Sequence, residues 1–436
     1  MTRGDHPPPA PFGLKVYRAA SGAAAPFARA VLKRRLGEGK EDKARLDERF
    51  GAAGRARPEG RLVWIHGASV GESLSVLPLV ERLTARDPAA STLVTTGTVT
   101  SAKLMAERLP SQAFHQFIPV DHPRFAARFL DHWRPDIALF VESEFWPNLL
   151  METRARTPFM ALVNGRVSPR SFAAWSKRPR TIRYLLSQFD LLVAQDRQNA
   201  ERLSALAARP VPSFGNLKNA AAPLPGDERA LRALNAAIGG RPVLLAASTH
   251  PGEEETVIAA ARLARADVPG LLAVVAPRHP ARGAEVEAMA GGLNTARRAA
   301  GGAITPDTEL YVADTLGELG VFYRAAGAAF VGGSLVDKGG HNPLEPARLG
   351  PAILHGPHVF NFAETYAELR GAGGAALVRN ERELAAAARR LFADETTRGA
   401  MAAAAKKTAE ASGERVLSDI VAAIDAARAQ SRKVAE

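Results

Sequence analysis

Twice along this chain a set of short apolar runs alternates with helix-like segments, and that alternation restricts the fold more than any other feature. The first set is Leu62–His66, Thr92–Thr95, Phe117–Val120, Ile137–Val141, Phe159–Val163 and Leu191–Ala194. The second is Val243–Ala247, Leu271–Ala276, Leu310–Val312, Ala328–Val331, Ile353–Leu354 and Ala376–Val378. Continuous apolar strands separated by helices describe parallel sheets covered on both faces. Between the sets, Pro223 to Arg241 has linker chemistry, with Pro225-Gly226-Asp227 at its start and Gly239-Gly240 at its end. The expected fold class is therefore α/β, with two Rossmann-like doubly wound domains facing across a cleft. The expected division is a basic segment over 1–36, an N-terminal domain over 37–222 and a C-terminal domain over 223–436. The Ala-rich stretch Glu381 to Val434 reads as helical and is expected to reach back to brace the first domain.

Charge divides unevenly between the halves. The net charge is +12, yet residues 1–222 carry 33 Lys and Arg against 20 Asp and Glu, while 223–436 carry 24 against 25. The aromatic-interleaved basic pattern of single-strand binders is missing, so nucleic acid is not the expected partner. An acidic substrate or an anionic membrane surface accounts for one-sided charge. Leu14 to Leu36 holds Lys15, Arg18, Arg29, Lys33, Arg34 and Arg35 without an acid before Glu38, and reads as an interfacial helix interrupted near Gly22 and Pro26. The alternative is a solvated helix packed on the N-terminal domain. No run is apolar and long enough to cross a bilayer. Cysteine is absent, which removes disulfides, thiolate nucleophiles and cysteine zinc sites.

Residues with chemical potential follow the strands. Phe330 to Pro346, FVGGSLVDKGGHNPLEP, runs from a strand through Gly332, Gly333, Gly339 and Gly340 to Pro343, which suits the first residue of a helix continuing Leu344-Glu345. It reads as an anion site in which backbone N–H groups converge with a helix dipole and Glu345 accepts from ribose hydroxyls. His66-Gly67-Ala68-Ser69-Val70-Gly71-Glu72-Ser73 lacks the Lys of a Walker A loop and the third Gly of a dinucleotide fingerprint. It does put Glu72 at a helix start, either as a cap or as a general base; the flanking glycines favour the base. Glu142 and Glu144 stand at i, i+2 beside Phe145-Trp146, an arrangement read as one ligand contact and one structural pair rather than a metal site. Arg166, Arg170, Lys177, Arg178, Arg180 and Arg183 meet no acid and suit phosphate recognition. Lys218 follows Gly215-Asn216 and can reach an anion, Arg278 is a candidate phosphate ligand, and Asp314 to Leu319 forms a loop whose backbone can read a nucleobase. His250 and His279 remain ambiguous between structural and ligand roles.

Taken in order, HGASVGES, VESEFWPN, GNLK, STHPGEE, PRHP, DTLGEL and GGSLVDKGGHNPLEP resemble the 3-deoxy-D-manno-octulosonic acid (Kdo) transferases, the lipid A glycosyltransferases of Gram-negative bacteria, from about Val63 to Phe392. That resemblance implies a GT-B glycosyltransferase fold and an inverting transfer of Kdo from CMP-Kdo, held by the C-terminal domain, to a lipid A precursor (lipid IVA) on the N-terminal one, in lipopolysaccharide core biosynthesis. It implies Glu72 as general base and Glu142 and Lys218 as transition-state stabilisers. It implies CMP contacts from Pro277, Arg278, Leu316, Gly317, Glu318, Asn342, Pro343, Leu344 and Glu345. No cofactor and no metal are expected, and the expected location is the cytoplasmic face of the bacterial inner membrane, attached peripherally. Two rival readings are another GT-B nucleotide-sugar transferase with a soluble acceptor and a non-catalytic binder of nucleotide or anionic lipid.

Overall fold

A computed structural model describes residues 9–433, and in it the chain forms two compact units. The first runs through Ala221 and takes up the chain again from Gly413; the second is Ala222–Ser412. The sequence reading drew the second domain over 223–436 with a tail bracing the first, whereas the chain from Gly413 is part of the first unit itself. The cause is visible in the last helix, Glu395–Lys433, where Val416, Ile420 and Ile424 are buried in the first unit's core.

The first unit holds six parallel strands: β1 (Leu62–His66), β2 (Ser91–Thr96), β3 (Ala113–Phe117), β4 (Ile137–Val141), β5 (Phe159–Gly165) and β6 (Leu191–Ala194). Their order is β3-β2-β1-β4-β5-β6. In β1 the register sets Ile65 beside Val94 and Leu139. Side chains alternate between faces, so Leu62 and Trp64 join one core while Val63 and Ile65 join the other. Every residue of β1 and β4 is buried, which is why both read as continuous apolar runs. β3 lies a few residues before the expected Phe117–Val120, because its half-buried start runs through His115 into the buried but polar Gln116 in place of an apolar run.

The N-terminal segment forms two helices, Phe12–Ala23 and Ala25–Gly37, joined at Ala24. It is packed on the first unit: Leu14 and Leu32 are buried, the Tyr17 hydroxyl donates to Asp121 Oδ2 at 2.8 Å, and Asn148 Nδ2 donates to Ser21 Oγ at 2.9 Å. Phe12 and Phe27 stay 80% and 71% exposed. Among the described residues no helix is long and apolar enough to cross a membrane.

The second unit holds β7 (Val243–Thr249), β8 (Leu272–Pro277), β9 (Thr295–Arg297), β10 (Leu310–Val312), β11 (Ala328–Val331), β12 (Ala352–His355) and β13 (Ala375–Leu377), ordered β13-β12-β11-β7-β8-β10-β9 and all parallel. β9 was not expected from sequence; it is three half-buried residues at the end of the sheet. In each unit the strand order reverses once, between β1 and β4 and between β7 and β11. Ligands of open α/β sheets bind beyond the carboxyl ends of the strands at such reversals.

Candidate functional site

In the first unit the reversal brings together the loops after β1 and β4. Ser69 caps the helix Val70–Arg86, its hydroxyl oxygen accepting from Glu72 N at 3.3 Å. Glu72 bends back over the loop: Oε2 accepts from Ala68 N at 2.6 Å and Oε1 from the Ser69 hydroxyl at 3.0 Å. The cap and the base, treated as alternatives in the sequence, are thus compatible, since each carboxylate oxygen retains a lone pair. A Cβ on Gly67 would lie 3.3 Å from Glu72 Cβ, a tight approach that would press on the Glu72 side chain; Gly71 meets nothing within 4 Å. Burial pushes the Glu72 carboxyl above its ordinary range, and the charges of Glu142 and Glu144 push it further in the same direction.

Glu142 closes β4 with φ +59, a left-handed conformation that costs a non-glycine residue and is retained where the surroundings enforce it. Its carboxylate is buried, 3.0 Å from Lys218 Nζ and 3.8 Å from Arg166 Nη1. Lys218 sits in the short turn Leu217–Ala220, anchored where Leu217 N donates to Asn164 Oδ1 at 2.9 Å. Asn164, near the end of β5, has φ +54. Glu144 receives the indole N–H of Trp146, and His66 Nε2 lies 3.6 Å away. Burial alone would raise the Glu144 carboxyl; His66 and Trp146 outweigh it and hold it below its ordinary value. Glu144 therefore stays charged while Glu72, beside it, binds a proton more readily. Arg170, Lys177, Arg178, Arg180 and Arg183 are all exposed, on or beside the helices Pro169–Ser176 and Pro179–Leu186, with no side-chain partner among the described residues.

In the second unit the expected nucleotide contacts lie on loops at the carboxyl ends of three strands: Pro277 and Arg278 at β8, Leu316, Gly317 and Glu318 after β10, and Asn342, Pro343, Leu344 and Glu345 after β11. Arg278 is exposed and its guanidinium has no hydrogen-bond or ion-pair partner among the described residues. Leu316 is 80% exposed, Gly317 has φ +83, and the Glu318 carboxylate is occupied by Arg298, whose Nε donates at 2.6 Å. What this loop can offer a ligand is its backbone. Burial raises the Glu345 carboxyl, against the opposing effects of Arg348, Asn342 and Arg278.

The glycine loop differs from the sequence reading. Gly333, Ser334 and Leu335 do present converging N–H groups, but all three donate to the buried carboxylate of Glu253, at 2.7, 2.9 and 2.9 Å, and His250 N donates to it as well at 3.0 Å. The anion in that nest belongs to the chain itself. The helix after the loop is the single turn Leu344–Ala347, with Pro343 as its cap, too short to supply much of a dipole. Sequence reasoning gave Glu253 no role beyond its place in STHPGEE, since its partners lie 80 or more residues away in the chain. It also left His250 unassigned, whose Nε2 lies 3.0 Å from Nε2 of His341.

The family described as 3-deoxy-D-manno-octulosonic-acid transferase (kdotransferase) matches residues 44–221. A 3-deoxy-D-manno-octulosonic acid transferase of Rickettsia bellii is 36% identical over 326 residues, covering 74% of this chain and 77% of that protein. One from Bordetella pertussis is 36% identical over 374 residues, covering 82% and 86%. The crystal structure of a glycosyltransferase from Rickettsia africae shares the fold at a TM-score of 0.57 and 10% identity, covering 85% of this chain and 99% of that one. With two parallel doubly wound sheets of the GT-B glycosyltransferase kind, this chain belongs to the 3-deoxy-D-manno-octulosonic acid transferase family.

Proposed function

We propose that the protein transfers Kdo from CMP-Kdo to a bisphosphorylated lipid A precursor, lipid IVA, with inversion, in lipopolysaccharide core biosynthesis. The observation that carries the reading is the Glu72 carboxyl, raised in proton affinity next to the Glu142–Lys218 pair at the strand-order reversal of the first unit. An acceptor hydroxyl attacks the anomeric carbon of Kdo, its proton passes to Glu72, and the bond to the CMP phosphate oxygen breaks. Glu142 and Lys218 hold opposite charges beside the reacting groups and stabilise the charge that develops there. Arg278 neutralises the departing phosphate. A single phosphate needs less neutralising than a diphosphate, so transfer proceeds without a metal.

The unpaired cations Arg170, Lys177, Arg178, Arg180 and Arg183 suit the phosphates of the acceptor disaccharide. Exposed Phe12 and Phe27, among the basic residues of the N-terminal helices, support peripheral attachment to the cytoplasmic face of an anionic inner membrane. Incubating the purified protein with CMP-Kdo and lipid IVA, and in parallel with UDP-sugars and soluble acceptors, tests the reading by product mass. A Kdo adduct on lipid IVA alone is expected; hexose transfer to a soluble acceptor would overturn it.

A further inference from the structure

The occupation of the glycine loop by Glu253 raises the question of what recognises a phosphate in the second unit. His250 after β7 and His341 after β11 meet at the reversal of strand order, their rings nearly parallel with an interplanar angle of 8°, centroids 5.2 Å apart, and facing each other edge to edge through Nε2 atoms 3.0 Å apart. At that distance one nitrogen donates and the other accepts, so the contact holds a single proton. The Nδ1 atom of neither ring has a hydrogen-bond partner among the described residues. Gly333 has φ +68, and a Cβ on it would lie 3.2 Å from the His341 ring and 3.5 Å from that of His250, so glycine there leaves space for the pair.

We propose that the His250 and His341 imidazoles, with the unpaired Arg278 guanidinium, form the anion site for the nucleotide phosphate, and that the pair takes up a proton from solvent as the phosphate binds. The inference rests on the donor reading above. Groups acting on the pair come from every neighbouring element: Glu253 from the helix after β7, Arg278 and His279 from the loop after β8, and Lys338 from the glycine loop. Tyr366 bonds the His341 carbonyl at 2.9 Å, not its ring. Glu253 favours a charged His250, but four backbone N–H groups already absorb much of its charge. Without ligand the surroundings are cationic and the pair stays neutral; burial first, then His250, Arg278 and His279, bring His341 down to about 4. A phosphate reverses the local sign. The added proton leaves the shared Nε2–H in place and gives both Nδ1 atoms a hydrogen to donate.

Calorimetric titration with CMP in Pipes and in imidazole buffer at one pH tests this, because the difference in apparent enthalpy counts protons. Cytidine 5′-methylphosphate, a diester that does not titrate near neutrality, assigns any uptake to the protein. The expected result is an uptake of about one half to one proton per site with both ligands, and binding roughly tenfold tighter at pH 6 than at pH 8.5. His250→Asn should at least halve the uptake, while Arg278→Ala should weaken binding and leave uptake in place. Tight CMP binding with no proton uptake and a flat pH dependence would overturn the inference and leave the donor reading standing. Absence of CMP binding would overturn both.

Discussion

Replacing Glu253 with glutamine tests whether the glycine loop is shaped by the chain's own carboxylate. Oε1 accepts from Ser334 N and Leu335 N at 2.9 Å each, and Oε2 accepts from Gly333 N at 2.7 Å and His250 N at 3.0 Å. Glutamine keeps one oxygen, so in either orientation its NH2 group faces two backbone donors. Two charge-assisted hydrogen bonds are lost and two N–H groups are left unpaired, at about 1–3 kcal/mol each. The side chain is fully buried, so water does not replace the lost acceptor. The expected cost is about 3–4 kcal/mol, which lowers the melting midpoint of a unit this size by roughly 10 °C. Thermal unfolding by circular dichroism reads the cost. Hydrogen exchange on peptides spanning 248–256 and 328–345 locates it. Unchanged melting and unchanged protection of Gly333 and Ser334 would refute the assignment. Tighter CMP binding by the variant would show instead that those amides serve the nucleotide.

Further outcomes follow from individual contacts. Because Glu72 works as the carboxylate and its proton affinity is raised, the rate should fall as pH drops through a value above the ordinary 4.5; Glu144→Gln removes one of the raising charges and should move that acidic limb down in a pH–rate profile. Gly332→Ala would put a Cβ 2.5 Å from Ser248 O and should destabilise the second unit by about 2 kcal/mol or more in urea unfolding, whereas Gly71→Ala, with open space, should shift stability by less than about 1 kcal/mol. Vesicle flotation should show salt-sensitive binding to anionic bilayers, weakened several-fold by Phe12→Ser/Phe27→Ser; these positions leave buried Leu14 and Leu32 in place, and binding equal to wild type would exclude the segment as the contact.

Strands buried on both faces were legible from their apolar runs, and the loops that follow them carried the motifs. β3 was displaced in the sequence reading because Ile118-Pro119-Val120 is the more apolar stretch, although the paired residues are Ala113–Phe117. β9 is too short and too exposed to leave a pattern. The long-range pairings were not legible at all: Lys218 with Glu142 is separated by 76 residues, His341 from His250 by 91, and the loop amides from Glu253 by 80 or more. Only the fold brings such groups together. Glu142, Asn164 and Ser248 adopt positive φ without being glycine, so nothing in residue type marks the backbone strain gathered at the ends of β4, β5 and β7. The glycines of 332–340 were recognised as a nest, but the occupant that structure assigns to it could not be told from a ligand.

The most direct test compares Glu72→Gln with the wild type in single-turnover Kdo transfer to lipid IVA, with CMP affinity measured in parallel. Removing the proton acceptor while keeping the side-chain shape should slow transfer by roughly 10²–10⁴-fold, with CMP affinity held within about twofold. Transfer by the variant at a rate close to wild type would contradict the assignment of Glu72 as the base.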